Sequence, residues 1–218
     1  MWIAKAPTHT DHVHYRLGIL GGTFDPIHAA HLEIARAAFN EFSLDRIYFV
    51  PAGMPYHRDT VVTDAEHRVN LVDLAIQGDD RLELSRVDVD RAGPTYSIDT
   101  VRELKTDFAR MHPDDSAEWF FIVGADAYQS MASWRDPQAL VREARVIVIS
   151  RPNTAHVSHK EFPCDYLEVD GWDLSSTQVR DKLASDIPLS AVLPLAVEQY
   201  IRDNGLYGLT VNVNKEGT

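Results

Sequence analysis

The sequence predicts an α/β protein built on a doubly wound, mostly parallel sheet with a small helical C-terminal part. Three observations lead there. Short β-rich segments recur: RLGIL (16–20), RIYFV (46–50), LELSRV (82–87), EWFFIV (118–123) and RVIVIS (145–150). Amphipathic stretches such as HLEIARAAFNEF and AEHRVNLVDLAI separate them, and strands alternating with helices call for right-handed crossovers and a parallel sheet. Third, a glycine pair directly follows the first strand in GGTFDP, where open parallel sheets place their ligands.

Helix boundaries follow from local chemistry. Asp25-Pro26 predicts an N-cap with proline at the first helical position. Thr63 with Glu66, and Ser175 with Gln178, have capping-box spacing. The last helix is expected near 194–204, closed by Gly205 in a left-handed C-cap. The connections around 53–63 and 152–163 are longer than usual in such folds, which marks them as functional or mobile loops.

Composition bounds the function. The chain has 218 residues, 44% of them hydrophobic and 25% charged, a soluble globular profile able to bury roughly 70% of the unfolded surface. Its net charge of -12 repels nucleic acid and anionic membrane, so phosphate binding must be local. A single cysteine, Cys164, allows no intramolecular disulfide or thiolate cluster and suits a reducing cytoplasm. No apolar run approaches the ~20 residues of a membrane span, and the first fourteen residues lack a signal peptide's apolar centre. The expected organisation is a flexible extension over 1–15, one domain over 16–208 with its helical part from about 174, and a tail over 209–218. His9, His12 and His14 fit a polar tail better than a weak metal site.

The stretch GGTFDPIHAAH carries the chemistry. Gly21 and Gly22 lack a Cβ, so a ligand can approach their backbone N–H groups, and the next helix aims its positive end at the same place. His28 and His31, spaced i and i+3, share one face and can each donate to phosphate oxygen, more strongly when protonated. Two imidazoles supply too few ligands for structural zinc, no HExxH accompanies them, and no metal-ligating residue is assigned. In SSTQVR, Ser176 and Thr177 stand four and three residues before Arg180. Alone that pattern describes a capped surface helix; beside the first motif it describes a second set of phosphate donors.

These motifs resemble a known family. GGTFDPIHAAH is similar to the (H/T)xGH signature of the nucleotidyltransferase superfamily, and DLSSTQVR (173–180) resembles its ISSTxIR signature. GPTYSIDT (93–100), FIVGADA (121–127), Trp134 and the ending VEQYIRDNGLYG resemble the bacterial nicotinate mononucleotide adenylyltransferases, over about 16–208. The resemblance implies a Rossmann-like nucleotidyltransferase fold. It also implies adenylyl transfer from ATP, accompanied by Mg²⁺, to nicotinate mononucleotide, giving nicotinate adenine dinucleotide and pyrophosphate in NAD biosynthesis. His28, His31 and Arg180 then serve catalysis. Gly22, Thr23, Phe24, Gly124, Asp126, Ser176 and Thr177 hold ATP. Trp134 stacks on the pyridine ring, Tyr96, Ser97 and Arg135 receive its carboxylate, and His57, Arg58 and Arg151 surround the acceptor phosphate or pyrophosphate.

Three positions depart from the family pattern: Ala30 replaces the glycine between the histidines, PYHR (55–58) replaces PPHK, and RPN (151–153) replaces RPG. Alanine favours the helix by about 1 kcal/mol but adds a methyl where nucleotide and backbone are expected to pack. The competing readings are an adenylyltransferase acting on nicotinamide mononucleotide, a phosphopantetheine adenylyltransferase and a nucleotide-binding module without catalysis. A nucleic-acid-binding domain related to class I synthetases finds no KMSKS-like lysine signature here and the wrong sign of charge. The oligomeric state is not legible, since no heptad seam or additional apolar face is evident.

Overall fold

The structure, a computed structural model, describes residues 12–55, 63–151, 159–170, 174–185, 189 and 192–209. Its main sheet contains β1 (His14–Gly22), β2 (Arg46–Pro51), β4 (Leu82–Leu84), β6 (Ser116–Gly124), β7 (Arg145–Ser150) and β8 (Cys164–Glu168). The order is β4-β2-β1-β6-β7-β8 and every pairing is parallel. The chain builds outward from β1 through β2 to β4, then returns to lay β6 on the other side of β1. That reversal is the switch point of a doubly wound sheet. Two short strands, β3 (Met54–Pro55) and β5 (Pro94–Thr95), form a separate parallel pair.

Helices cover both faces: α1 (Ala29–Glu41), α2 (Ala65–Ile76), α3 (Val87–Asp90), α4 (Ser97–Met111), α5 (Ala125–Gln129), α6 (Pro137–Glu143), α7 (Ser176–Ala184) and α8 (Leu195–Asp203). Burial on both sides explains the unbroken apolar run in β6. Phe120 and Ile122 join the core beneath α1, α2, α7 and α8, while Trp119, Phe121 and Val123 join the one beneath α4, α5 and α6.

Several expected boundaries move, each for a local reason. β1 starts at His14, inside the span read as an extension, because His14 Nδ1 lies 2.8 Å from Ser116 Oγ and Tyr15 packs edge-on to Phe108. The strand expected over 82–87 ends at Leu84; Ser85 N–H still donates to Phe49 O, and Val87 already opens α3. β8 was not foreseen in a short segment flanked by Pro163. The cap of α2 is Asp64, not Thr63, its carboxylate accepting from Glu66 N–H at 2.9 Å. Helix α1 starts at Ala29, three residues after Pro26. Asp25 cannot cap it, being 2% exposed and accepting from the Tyr207 hydroxyl at 2.8 Å. The Ser175–Gln178 box forms as expected, and Gly205 takes φ +59° after α8.

Candidate active site

The loop from Gly21 to His28 runs off the carboxyl end of β1, and its conformation follows from tight packing. A Cβ on Gly22 would meet the Phe24 ring at 3.1 Å, whereas one on Gly21 would meet nothing within 4 Å. Gly21 thus opens on free space, and Gly22 yields to Phe24. Phe24 itself, at φ +51° and 2% exposed, packs beneath His31 with ring centres 5.0 Å apart. Its ring faces the core, so only its backbone can meet a nucleotide.

Because α1 starts late, His28 is its N-cap and His31 its third residue. The backbone N–H of His28 donates to His31 Nδ1 at 3.2 Å. A neutral His31 ring must therefore carry its proton on Nε2, which makes that nitrogen its donor. The two rings stack with centres 3.8 Å apart. His28 is 3% exposed and its Nδ1 is buried without a hydrogen-bond partner among the described residues. Burial drives its pKa down to about 4, so the ring is neutral at pH 7.

The second motif meets this loop directly. Ser176 Oγ donates to Pro26 O at 3.0 Å, Arg180 donates to Asp25 O at 2.7 Å, and Arg180 also reaches Thr177 Oγ1 at 3.2 Å. Arg180 lines a cleft of about 580 Å³ with Thr63, His67 and Tyr207. Burial raises the pKa of Tyr207, whose hydroxyl holds the Asp25 carboxylate.

Beside the loop, over the β1/β6 switch point, lies a cavity of about 460 Å³. Gly21, Gly22 and Thr23 form one wall, Phe121 to Val123 of β6 the floor, and Tyr96, Ser97, Trp134 and Arg135 the far side. Trp134 stands edge-on to Phe121, with Nε1 3.4 Å from Ser130 Oγ. Arg135 lies 4.7 Å over the Tyr96 ring and 3.6 Å from Asp99. No side chain caps α4 at Tyr96, so the positive end of a fifteen-residue helix is turned to the cavity.

Of the other expected residues, Gly124 caps α5 and Asp126 is exposed in its first turn, next to the cavity residue Ala127. Arg151 follows β7, outside the residues lining the cavity. His57 and Arg58 lie outside the described residues. Sequence reasoning missed Asp88 and Thr100, which line the cavity joined by a 2.6 Å hydrogen bond. Burial raises the Asp88 pKa against the pull of Thr100 and Arg91. It also missed Arg68, whose spacing before Leu71 and Val72 sets it on the buried face of α2.

Among the described residues, no group of three or more His, Cys, Asp or Glu side chains could hold a metal ion. No described helix is long and apolar enough to cross a membrane.

Residues 19–182 match the family model described as cytidylyltransferase-like, and the chain belongs to that family. Its curated relatives include a probable nicotinate-nucleotide adenylyltransferase of Moorella thermoacetica, 39% identical over 203 residues, with 88% of this chain and 91% of the relative covered. Another, from Leifsonia xyli, is 42% identical over 195 residues, covering 88% and 94%. Within the wider family the chain is thus a member of the nicotinate-nucleotide adenylyltransferases. The fold agrees with a Plasmodium falciparum nicotinic acid mononucleotide adenylyltransferase solved with NaAD, at TM-score 0.72 and 23% identity, covering 91% of this chain and all of that one.

Proposed function

We propose that this chain transfers the adenylyl group of ATP to nicotinate mononucleotide, releasing pyrophosphate and giving nicotinate adenine dinucleotide for NAD biosynthesis in the cytoplasm. A phosphate oxygen of the acceptor forms a bond to the α-phosphorus of ATP as the bond from that phosphorus to the bridging oxygen breaks, and the electron pair leaves with pyrophosphate. The attacking oxygen is already anionic, so no general base or covalent nucleophile is required. Positioning and charge stabilisation carry the rate.

In this reading His31 donates from Nε2 to the triphosphate, His28 adds a second imidazole, and Ser176, Thr177 and Arg180 approach from α7. Gly22, Thr23 and the Phe24 backbone hold the nucleotide on one side; Gly124 and Asp126 accept the ribose on the other. Mg²⁺ enters as part of the MgATP substrate. The pyridine ring stacks on Trp134, and its carboxylate meets the amides near Tyr96 and Ser97, with Arg135 beside them. His57, Arg58 and Arg151 take the acceptor phosphate or pyrophosphate.

One observation carries the proposal. Segments about 150 residues apart are joined at Asp25 and Pro26 by bonds of 2.7 and 3.0 Å from Arg180 and Ser176, on the loop that also walls the cavity. The test is pyrophosphate release from ATP and Mg²⁺ with nicotinate or nicotinamide mononucleotide. Release with the nicotinate acceptor in clear preference is expected. Preference for the amide refutes the carboxylate site, and ATP binding without pyrophosphate release refutes catalysis.

A further inference from the structure

Arg68 sits in the first turn of α2 and is 1% exposed. Among the described residues its three side-chain hydrogen bonds all go to backbone carbonyls: Nε to Thr63 at 3.2 Å, Nη1 to Thr23 at 2.7 Å and Nη2 to Gly53 at 3.2 Å. None of these acceptors is a carboxylate; Asp25, Asp64 and Tyr207 act on it only through space. Burying a cation is costly, and a site needing only bulk would be filled more stably by leucine or methionine. What a guanidinium offers is a planar fork whose spread-out nitrogens span three carbonyls, where an ammonium gathers its three donors on one nitrogen.

Two of those segments build the cavity. Thr23 is part of its wall, and Gly53 follows Ala52, another lining residue whose N–H donates to Gly22 O at 2.8 Å. Gly53 is pressed against α3 so closely that a Cβ there would lie 2.1 Å from Asp88 O. Asp88 is itself a lining residue. Contact is thus continuous from Arg68 through Gly53 to Asp88 in the cavity lining.

We infer that Arg68 is a positioning residue for acceptor recognition, holding the Thr23 and Gly53 segments in register so that the cavity keeps its width. The inference rests on the acceptor assignment above. Arg68 lies behind these walls and acts through their carbonyls, so its loss widens or skews the cavity without removing a donor from the triphosphate.

Steady-state kinetics of Arg68→Lys and Arg68→Met, well below their thermal midpoints, test it. The expected result is a KM for nicotinate mononucleotide raised about tenfold, with a rise of no more than about threefold for ATP, which shares only the Thr23 wall. A purely structural arginine would lower the melting temperature and the active fraction while leaving both KM values alone. In Arg68→Gly, low millimolar guanidinium chloride should bring the acceptor KM back down. An unchanged acceptor KM in a folded Lys variant overturns the inference, as do equal rises for both substrates. If no Arg68 variant folds, Gly53→Ala displaces a single wall and should raise the same KM; an unaltered value overturns it equally. Failure of the wild type to release pyrophosphate would instead overturn the proposed function.

Discussion

The cavity proposed for the acceptor and the corner proposed for the phosphates meet at the loop after β1, yet they are finished to different degrees. The cavity is already open at about 460 Å³, floored by β6 and flanked by Trp134. A flat ring can enter with little rearrangement. In the corner, Arg180 and Ser176 each give a donor to the carbonyls of Asp25 and Pro26, and His28 has a buried Nδ1 with no hydrogen-bond partner among the described residues. Buried polar groups left unpaired are costly, so Arg180 and Ser176 bond to loop carbonyls that an arriving phosphate would replace. Binding is preformed on one side and an exchange of bonds on the other.

The largest single effect belongs to the corner. His31→Ala should lower kcat about a thousandfold, or ~4 kcal/mol, the scale for losing a donor aimed at transition-state charge. Its structural cost should be far smaller. The variant loses the 3.2 Å bond from His28 N–H, worth about 1 kcal/mol, together with the ring contacts to Phe24 and His28 of a partly exposed side chain. Turnover and urea midpoints measured on one preparation decide the matter, and near-normal turnover in a folded variant would take His31 out of the chemistry.

The next effect is acid sensitivity from His28. Its pKa in the folded chain is about 4, against 6.5 when unburied. Between those values the unfolded chain binds the extra proton, so stability falls as pH falls through this window. The contribution is complete above pH 6.5, and about 3 kcal/mol of it is gone by pH 4. His28→Gln should flatten that part of the curve. Urea unfolding at pH 7, 6, 5 and 4 measures both proteins, and parallel curves would mean that His28 is not the buried neutral group.

The contrast also explains what the sequence could and could not reveal. Strands β1, β2, β6 and β7 were legible because burial on both faces makes them continuous apolar runs. The Ser175–Gln178 cap was legible because both bonds are local. Asp25 misled because a cap signature is local, while its fate is set by Tyr207, 182 residues away. Arg68 looked like any surface arginine unless its phase against Leu71 and Val72 is counted, and the three carbonyls that need it come from other segments. Ala30 is 3% exposed, its methyl buried in the protein, which no one-dimensional pattern could specify.

Trp134→Ala probes the preformed side and should have the smallest effect. The indole is partly exposed at the cavity, held edge-on to Phe121 and near Ser130, so its orientation does not depend on a ligand. Losing its face against a cationic pyridine ring costs ~1.4 kcal/mol, or about tenfold in the acceptor KM, with the KM for ATP unmoved. Trp134→Phe keeps an aromatic face and should recover most of that loss. Equal rises in both KM values would make Trp134 part of the frame shared by both substrates, and the division between a preformed acceptor side and an exchanging phosphate side would fail there.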